Sequence, residues 1–382
     1  MKAVTCHEGR LTVAELPAPE PVKGQLVLDV LRAGICGSDL HARLHCDEVA
    51  EASSYAGYEG FMRSGDTVVM GHEFVGEVVD HGPRTSRAPK PGTRVVAMPL
   101  LRTGSEVHAV GLSPHAAGAY AEQMVVQSAL AMPVPEGLPD EIAALTEPMA
   151  VALHAVRRGE VGKSRIAVVV GCGPIGLAVV LMLKASGVRT VIASDLSPGR
   201  RALAERCGAD VVVDPGVESP WEAAQARGHY KDAADVFGLA VDSMEQLRAV
   251  PLLPWARVMH AAEALGAMPS GPVVFECVGV PGMLDHVLAS VPLATRVVVV
   301  GVCMGSDAFR PSIAINKETE LRFVLGYTPR EFHETLHLMA DGKVDPAPLV
   351  TGTVGLDGVA GAFEDLADPG DHAKILVDPR LA

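Results

Sequence analysis

The run from Ile166 to Leu183, IAVVVGCGPIGLAVVLML, holds eighteen consecutive uncharged residues. On length and hydropathy alone it reads as a membrane span. Its middle argues otherwise, because Gly171, Gly173, Pro174 and Gly176 interrupt it. A buried strand over 166–170, a glycine turn and a helix opening near Pro174 account for all of these residues. A strand apolar on both faces that runs straight into a helix belongs to a parallel sheet covered by helices on each side. The alternation recurs downstream. RTVIASD leads into a helix with Ser197 as its cap and Pro198 in its first turn, and DVVVD, PVVFECVG and RVVVVGVCMG follow as further strands.

The turn itself, GCGPIG at 171–176, matches G-x-G-x-x-G. The first glycine permits the tight turn, the second lets backbone approach a pyrophosphate, and the third allows close helix-to-strand packing. Helix N–H groups then hold the anion. Gly171, Gly173, Pro174, Ile175 and Gly176 are therefore candidate cofactor residues. Asp195 stands 19 residues beyond the last glycine, at the end of the next strand. An acid there suits the adenosine ribose hydroxyls and repels a 2′-phosphate, which favours NAD over NADP. Arg200, five residues on, is the counter-indication, since an arginine can receive that phosphate.

On either side of this unit the pattern changes. Up to about residue 135, short β-type runs (LVLDVLRAG, TVVMGHEFVGEVVDHG, TRVVAMPL, AYAEQMVV) alternate with Gly and Pro turns, as in a barrel-like β domain. PDEIAALTEPMAVALHAVRRG has helical spacing and carries the chain onward. The stretch 214–270 is alanine-rich without strand alternation and reads as a helical insertion. The C-terminal part reads as a strand, a helix ending near Gly342 and a last strand. These patterns divide the α/β chain into 1–147, 148–325 with the insertion around 214–270, and 326–382, the last returning to the first domain.

A formal net charge of −14 repels phosphate backbones and anionic lipid, so a small molecule is a better partner than nucleic acid or a membrane. The N-terminus lacks the apolar core of a signal peptide, and a cytoplasmic location is expected. The seven cysteines are scattered singly, which argues against a disulfide framework and leaves a metal or catalytic role open. Cys36 and His72 both lie in glycine-flanked segments. Thirty-six positions apart, they read equally well as a buried apolar cysteine and a satisfied histidine.

In chain order, GICGSDLH (34–41), GHEFVGEVV (71–79), GAYAEQ (118–123), TEPMAVALHAV (146–156) and VVVGCGPIG (168–176) resemble the zinc-dependent medium-chain dehydrogenase/reductase family. In motif they lie nearest its sorbitol, polyol and glucose dehydrogenase branch. The likeness spans nearly the whole chain except about 42–68 and 214–270. It implies a GroES-like β-barrel catalytic domain, a Rossmann domain and an active site in the cleft between them. Cys36, His72 and Glu147 then match the ligands of one catalytic zinc, with Glu73 as the alternative ligand. Asp39 matches the carboxylate that orients the ligand histidine, and Ser38 and His41 match a proton relay. Val300, Gly301 and Val302 match the backbone on the nicotinamide side. Lys374 falls near a basic residue that binds the cofactor pyrophosphate.

Where many members of the family carry four cysteines around a structural zinc, residues 100–117 hold none, so a single zinc per chain is expected. The segment 42–71 reads as a long loop whose Tyr55, Tyr58, Phe61 and Met62 either line an apolar substrate pocket or pack on their own domain. The resemblance implies an NAD-dependent zinc alcohol dehydrogenase that interconverts an alcohol, leaning to secondary alcohols and polyols, with its ketone or aldehyde. It also implies assembly as a homodimer or homotetramer. The alternatives are a zinc-free quinone or enoyl reductase of the same superfamily and a non-catalytic dinucleotide-binding protein.

Overall fold

Six parallel strands in the order Val211–Val213, Thr190–Ser194, Ile166–Val170, Val273–Glu276, Arg296–Val299 and Glu320–Phe323 form one sheet of the computed structural model. The model describes residues 1–86, 88–162, 165–225, 232–265, 270–367, 370 and 372–381. Strand order reverses between Ile166–Val170 and Val273–Glu276, which makes the crevice above them the topological switch point of a doubly wound sheet. The uncharged run divides there into the strand 166–170 and the helix Pro174–Ala185. Among the described residues no helix is long and apolar enough to cross a membrane.

The glycine turn shows why its residues are small. Gly171 has φ +90°, and a side chain on it would meet Val278 Cγ2 at 2.7 Å. A Cβ on Gly176 would lie 1.8 Å from the Gly171 carbonyl oxygen, so the helix can seat this closely only without one. Gly173, by contrast, faces open space. Its bare backbone is left accessible, as approach of a pyrophosphate requires.

The other large sheet runs Ala131–Pro133, Arg94–Ala97, Glu73–His81, Gln25–Gly34, Lys374–Val377 and Val350–Val354, and Gln123–Gln127 also pairs with Gln25–Gly34. The last strand of the chain thus lies antiparallel beside Gly34 and Ala33. The helix Thr146–Gly159 joins the two sheets. Its buried Met149, Leu153 and Val156 belong to a core that includes Val75 and Val96 of one sheet and Val169 and Phe275 of the other.

The 42–71 segment departs from the expected long loop. Residues Gly37–Tyr55 form a helix, bent at His45 (φ −130°, ψ 32°). Its start is fixed by a reciprocal cap between Cys36 and Asp39, and no Gly or Pro follows until Gly57. The aromatics after it pack on their own domain. Tyr58 Oη accepts from the Ala109 amide at 2.9 Å, Met62 is buried in the barrel core, and Phe61 packs against that core. Tyr55 points into solvent. The 214–270 stretch supplies the helices Pro220–Gln225, Ala233–Ala249 and Trp255–Ala264, and the last two bury none of their described residues.

Candidate active site

GICGSDLH places Cys36 at the N-cap of the Gly37–Tyr55 helix, and GHEFVGEVV places His72 and Glu73 at the entry to the strand Glu73–His81. The Cys36 sulfur, a His72 ring nitrogen and a Glu73 carboxylate oxygen come within 4.8 Å of one another, the single such group of three found among the described residues. The glycines of these segments make the approach possible. A Cβ on Gly34 would lie 2.0 Å from Glu73 Oε2, and one on Gly71, at φ +99°, would lie 2.7 Å from the Tyr120 ring.

Behind the cluster lies a buried carboxylate. Asp39 Oδ2 accepts from Tyr120 Oη at 2.6 Å and from the Cys36 amide at 3.0 Å. Its Oδ1 lies 3.1 Å from His72 Nδ1, a close ion pair more than an aligned hydrogen bond. Burial alone would raise the Asp39 pKa. The facing His72 charge and the bonds from His72, Tyr120 and the Cys36 amide outweigh burial and hold it below the usual carboxylate range. For His72, burial works against protonation, but Asp39 overcomes it and pushes the pKa well up. With Nδ1 directed at Asp39, Nε2 is the nitrogen left to face the cluster, 3.3 Å from Ser38 Oγ. His41 is half-buried one turn along the same helix, and burial, reinforced by His45, lowers its pKa.

Glu73 is fully buried, and both its oxygens accept from Lys374 Nζ, at 2.7 and 2.8 Å. The third Lys374 donor goes to the Ile35 carbonyl at 3.0 Å. This corrects the expectation of a pyrophosphate contact. Lys374 is 1% exposed, and its three donors are spent on Glu73 and Ile35. Its burial is tolerable because a carboxylate pairs with it.

Glu147 enters from the first turn of the Thr146–Gly159 helix. Burial pushes its carboxyl up to about 7; the His72 charge opposes this, Glu73 adds to it, and a bond from Tyr327 opposes it again. Tyr327 follows the C-terminal end of the parallel strand Glu320–Phe323, and its phenol feels Glu147, Glu73 and Cys36. The C-terminal edge of the parallel sheet therefore meets the barrel at this cluster. Tyr120 and Tyr327 were not singled out from the sequence. Tyr120 lies inside GAYAEQ, but nothing in that string says that its hydroxyl reaches Asp39, 81 residues away.

At the glycine turn, Asp195 Oδ2 accepts from the Cys172 amide at 2.7 Å and Oδ1 from the Ser197 amide at 2.8 Å. Arg200 lies close enough to act on Cys172, and among the described residues its buried Nε has no hydrogen-bond partner. Pro174 opens the helix, and Ile175 packs against the core. The Val300 and Gly301 amides donate to the Glu276 carbonyl at 2.9 and 2.8 Å, while the Val302 side chain is about half exposed. A Cβ on Gly301 would lie 2.4 Å from the Gly279 amide, so only glycine fits there.

Thiolate, imidazole and carboxylate together are the donor set of zinc, and the Asp39 contact on His72 is the usual support for such a ligand. A chain that sets these donors on a barrel, against the ligand-binding edge of a dinucleotide-type sheet, is by class a metal-binding, nucleotide-dependent oxidoreductase. Comparison with known proteins narrows this. Residues 22–136 match the alcohol dehydrogenase GroES-like domain, and residues 174–341 match the zinc-binding dehydrogenase domain. The chain is 30% identical over 389 residues to (R,R)-butanediol dehydrogenase of Bacillus subtilis, covering 99% of this chain and 100% of that protein. It is 27% identical over 390 residues to sorbitol dehydrogenase of Gallus gallus, covering 98% and 95%. The crystal structure of 2R,3R-butanediol dehydrogenase from Bacillus subtilis superposes with a TM-score of 0.74 over 99% of each chain, at 30% identity. The chain belongs to the zinc-dependent medium-chain dehydrogenase/reductase family, and it is an alcohol or polyol oxidoreductase.

Proposed function

We propose that the chain oxidises a secondary alcohol or polyol to the ketone, or runs the reverse reaction, with NAD as hydride carrier and one zinc held by Cys36, His72 and a glutamate. The observation that carries this reading is the Cys36–His72–Glu73 cluster with Asp39 behind the imidazole. Glu73 stands within 4.8 Å of both Cys36 and His72, and Lys374 compensates its charge. Glu147, held by Tyr327, would serve as the alternative ligand or as a neighbour linked to the ion through water. Zinc, when bound, acts as a Lewis acid toward the substrate oxygen. The relatives are named as dehydrogenases of butanediol and sorbitol, which supports the polyol leaning.

A bound nicotinamide would supply the hydride acceptor for the alcohol carbon, and the hydroxyl proton would have to leave a site shielded from bulk water. Ser38 Oγ accepts that proton, and His41, on the same face one turn along, passes it outward. The cleft forms between 1–147 with 326–382 on one side and 148–325 on the other. The backbone of Val300, Gly301 and Val302 would border the nicotinamide of a bound cofactor, and Asp195 would hold its adenosine ribose.

The reading is tested by zinc content per chain together with NAD reduction across a panel of vicinal diols and polyols. Zinc-free protein that instead reduces quinones or enones with NADPH would replace it with the reductase alternative. Cytoplasmic residence and a dimeric or tetrameric assembly accompany the proposal; fractionation and scattering mass check them.

Two substitutions probe the supporting residues. Tyr120→Phe removes the phenol that donates to Asp39, and zinc should be lost roughly 10–100-fold more readily in a chelator competition, with NADH binding unchanged. Asp195→Ala removes the carboxylate that repels a 2′-phosphate and leaves Arg200 to receive it. The NAD to NADP ratio of kcat/KM should fall roughly tenfold or more, equivalent to about 1.4 kcal/mol. An unchanged ratio would remove Asp195 from cofactor selection.

A further inference from the structure

The helix Pro329–Ala340 carries His333 and His337 one turn apart on its solvent side, both exposed. Their ring centroids are 4.4 Å apart at an interplanar angle of 49°. Among the described residues neither ring has a hydrogen-bond or ion-pair partner. Neither residue belongs to the Cys36 cluster, and the dehydrogenase reaction gives them no task.

The backbone beneath them is rigid for reasons independent of any ligand. Thr328 and Glu331 cap the helix reciprocally, with Glu331 N to Thr328 Oγ1 at 3.2 Å and Thr328 N to Glu331 Oε2 at 2.8 Å. Gly342 closes its far end at φ +66°. The opposite face buries Phe332, Leu336 and Met339, which share a core with Leu153 and Val156 of the Thr146–Gly159 helix. Side chains four apart on such a helix stand one above the other. Two imidazoles in this register can share one metal ion, as the paired histidines of helical zinc sites do. Only the ring rotamers remain to be ordered on binding, which keeps the entropic cost small. Glu334 is no third ligand, because Arg157 and Arg330 hold its carboxylate. Asp341, one turn beyond His337, is no ligand either, because Lys343 Nζ holds its carboxylate at 2.8 Å.

We propose that His333 and His337 form a second metal site, a two-imidazole clamp for a divalent transition ion with water completing its coordination, separate from the catalytic cluster. Imidazole pairs rank the ions copper above nickel above zinc. In protein prepared with excess zinc, a count above one per chain would then report this helix and not a cysteine-lined structural site.

The test uses zinc-loaded, buffer-exchanged enzyme titrated calorimetrically with Ni²⁺ beside His333→Gln and His337→Gln. The expected result is one Ni²⁺ per wild-type chain, with affinity falling at least roughly tenfold in each single variant. Turnover without nickel should stay at the wild-type level in both. Cu²⁺ bound to the wild type should show two nitrogen couplings by electron paramagnetic resonance, and one or none in either variant. Nickel binding that both variants retain in full, or no nickel binding by the wild type, would overturn the site. Thermal unfolding of the variants without metal separates loss of ligand from loss of fold, since both residues are exposed and glutamine preserves helix propensity.

Discussion

Cys36→Ser should yield a folded protein that binds NADH as the wild type does, contains little zinc and turns over alcohol roughly 10³-fold more slowly or worse. The magnitude follows from the Lewis-acid contribution of a bound metal, several kcal/mol at about 1.36 kcal/mol per decade of rate. The selectivity follows from topology. Cys36 caps a helix of the barrel, whereas the glycine turn and Asp195 lie on a separate parallel sheet with its own backbone bonds. Serine preserves the size of the side chain, and the cap of the Gly37–Tyr55 helix is built on the Asp39 carboxylate and the Cys36 amide, which the substitution keeps. Three measurements decide it: metal content after buffer exchange, NADH fluorescence and dehydrogenase rate. Full turnover with no zinc would remove Cys36 from the chemistry and revive the zinc-free reductase reading.

Lys374→Met should be the most destabilising single change near the site. It strips the cation from a carboxylate that is fully buried, and breaking such a pair from one side costs about 3–5 kcal/mol. Because Glu73 and Lys374 lie on strands of the barrel sheet, the loss is best followed there, by hydrogen exchange along Gln25–Gly34 beside denaturant unfolding. Zinc adds a second arm. If Glu73 is a direct ligand, excess zinc returns a cation to it and should restore most of the stability that chelated Lys374→Met has lost. If zinc restores nothing, Glu73 is not a ligand and Glu147 takes the place. Lys374→Met/Glu73→Gln, which removes both charges, should be more stable in chelator than Lys374→Met alone.

Several features were legible from local sequence because local physics settles them. A strand, three spaced glycines and a proline at N1 specify a turn that few other conformations satisfy, and the acid at the end of the next strand follows from the repeat of the β–α unit. Cys36, Ser38 and Asp39 were readable as one group through the family resemblance of GICGSDLH, and the structure shows that they occupy a single helix start. The 42–71 segment departs from the loop its sequence suggests because propensity there competes with tertiary support. Its alanines and a two-residue cap were enough to sustain a helix once its inner side could bury Ala42, Cys46 and Ala50.

Lys374 shows the other limit. A lone basic residue near the C-terminus carries no local sign of its partner, and Glu73 lies 301 residues away. The same holds for Tyr120 and Tyr327. Their identities were in plain view, but only folding brings one phenol onto Asp39 and the other beside Glu147.

The sequence by itself determined the strand–helix alternation of the parallel sheet, the glycine turn and the acid at the end of the next strand, because each depends on residues within a few positions along the chain, while the residue types of the candidate metal cluster were legible only through the family resemblance. Tertiary structure alone decided that Glu73 joins Cys36 and His72 in one cluster, that Lys374 neutralises it, and that Tyr120 holds the aspartate behind the imidazole. Those arrangements join strands and helices far apart in sequence. Burial makes each of them obligatory, since a charge removed from water must find its partner wherever the fold places it.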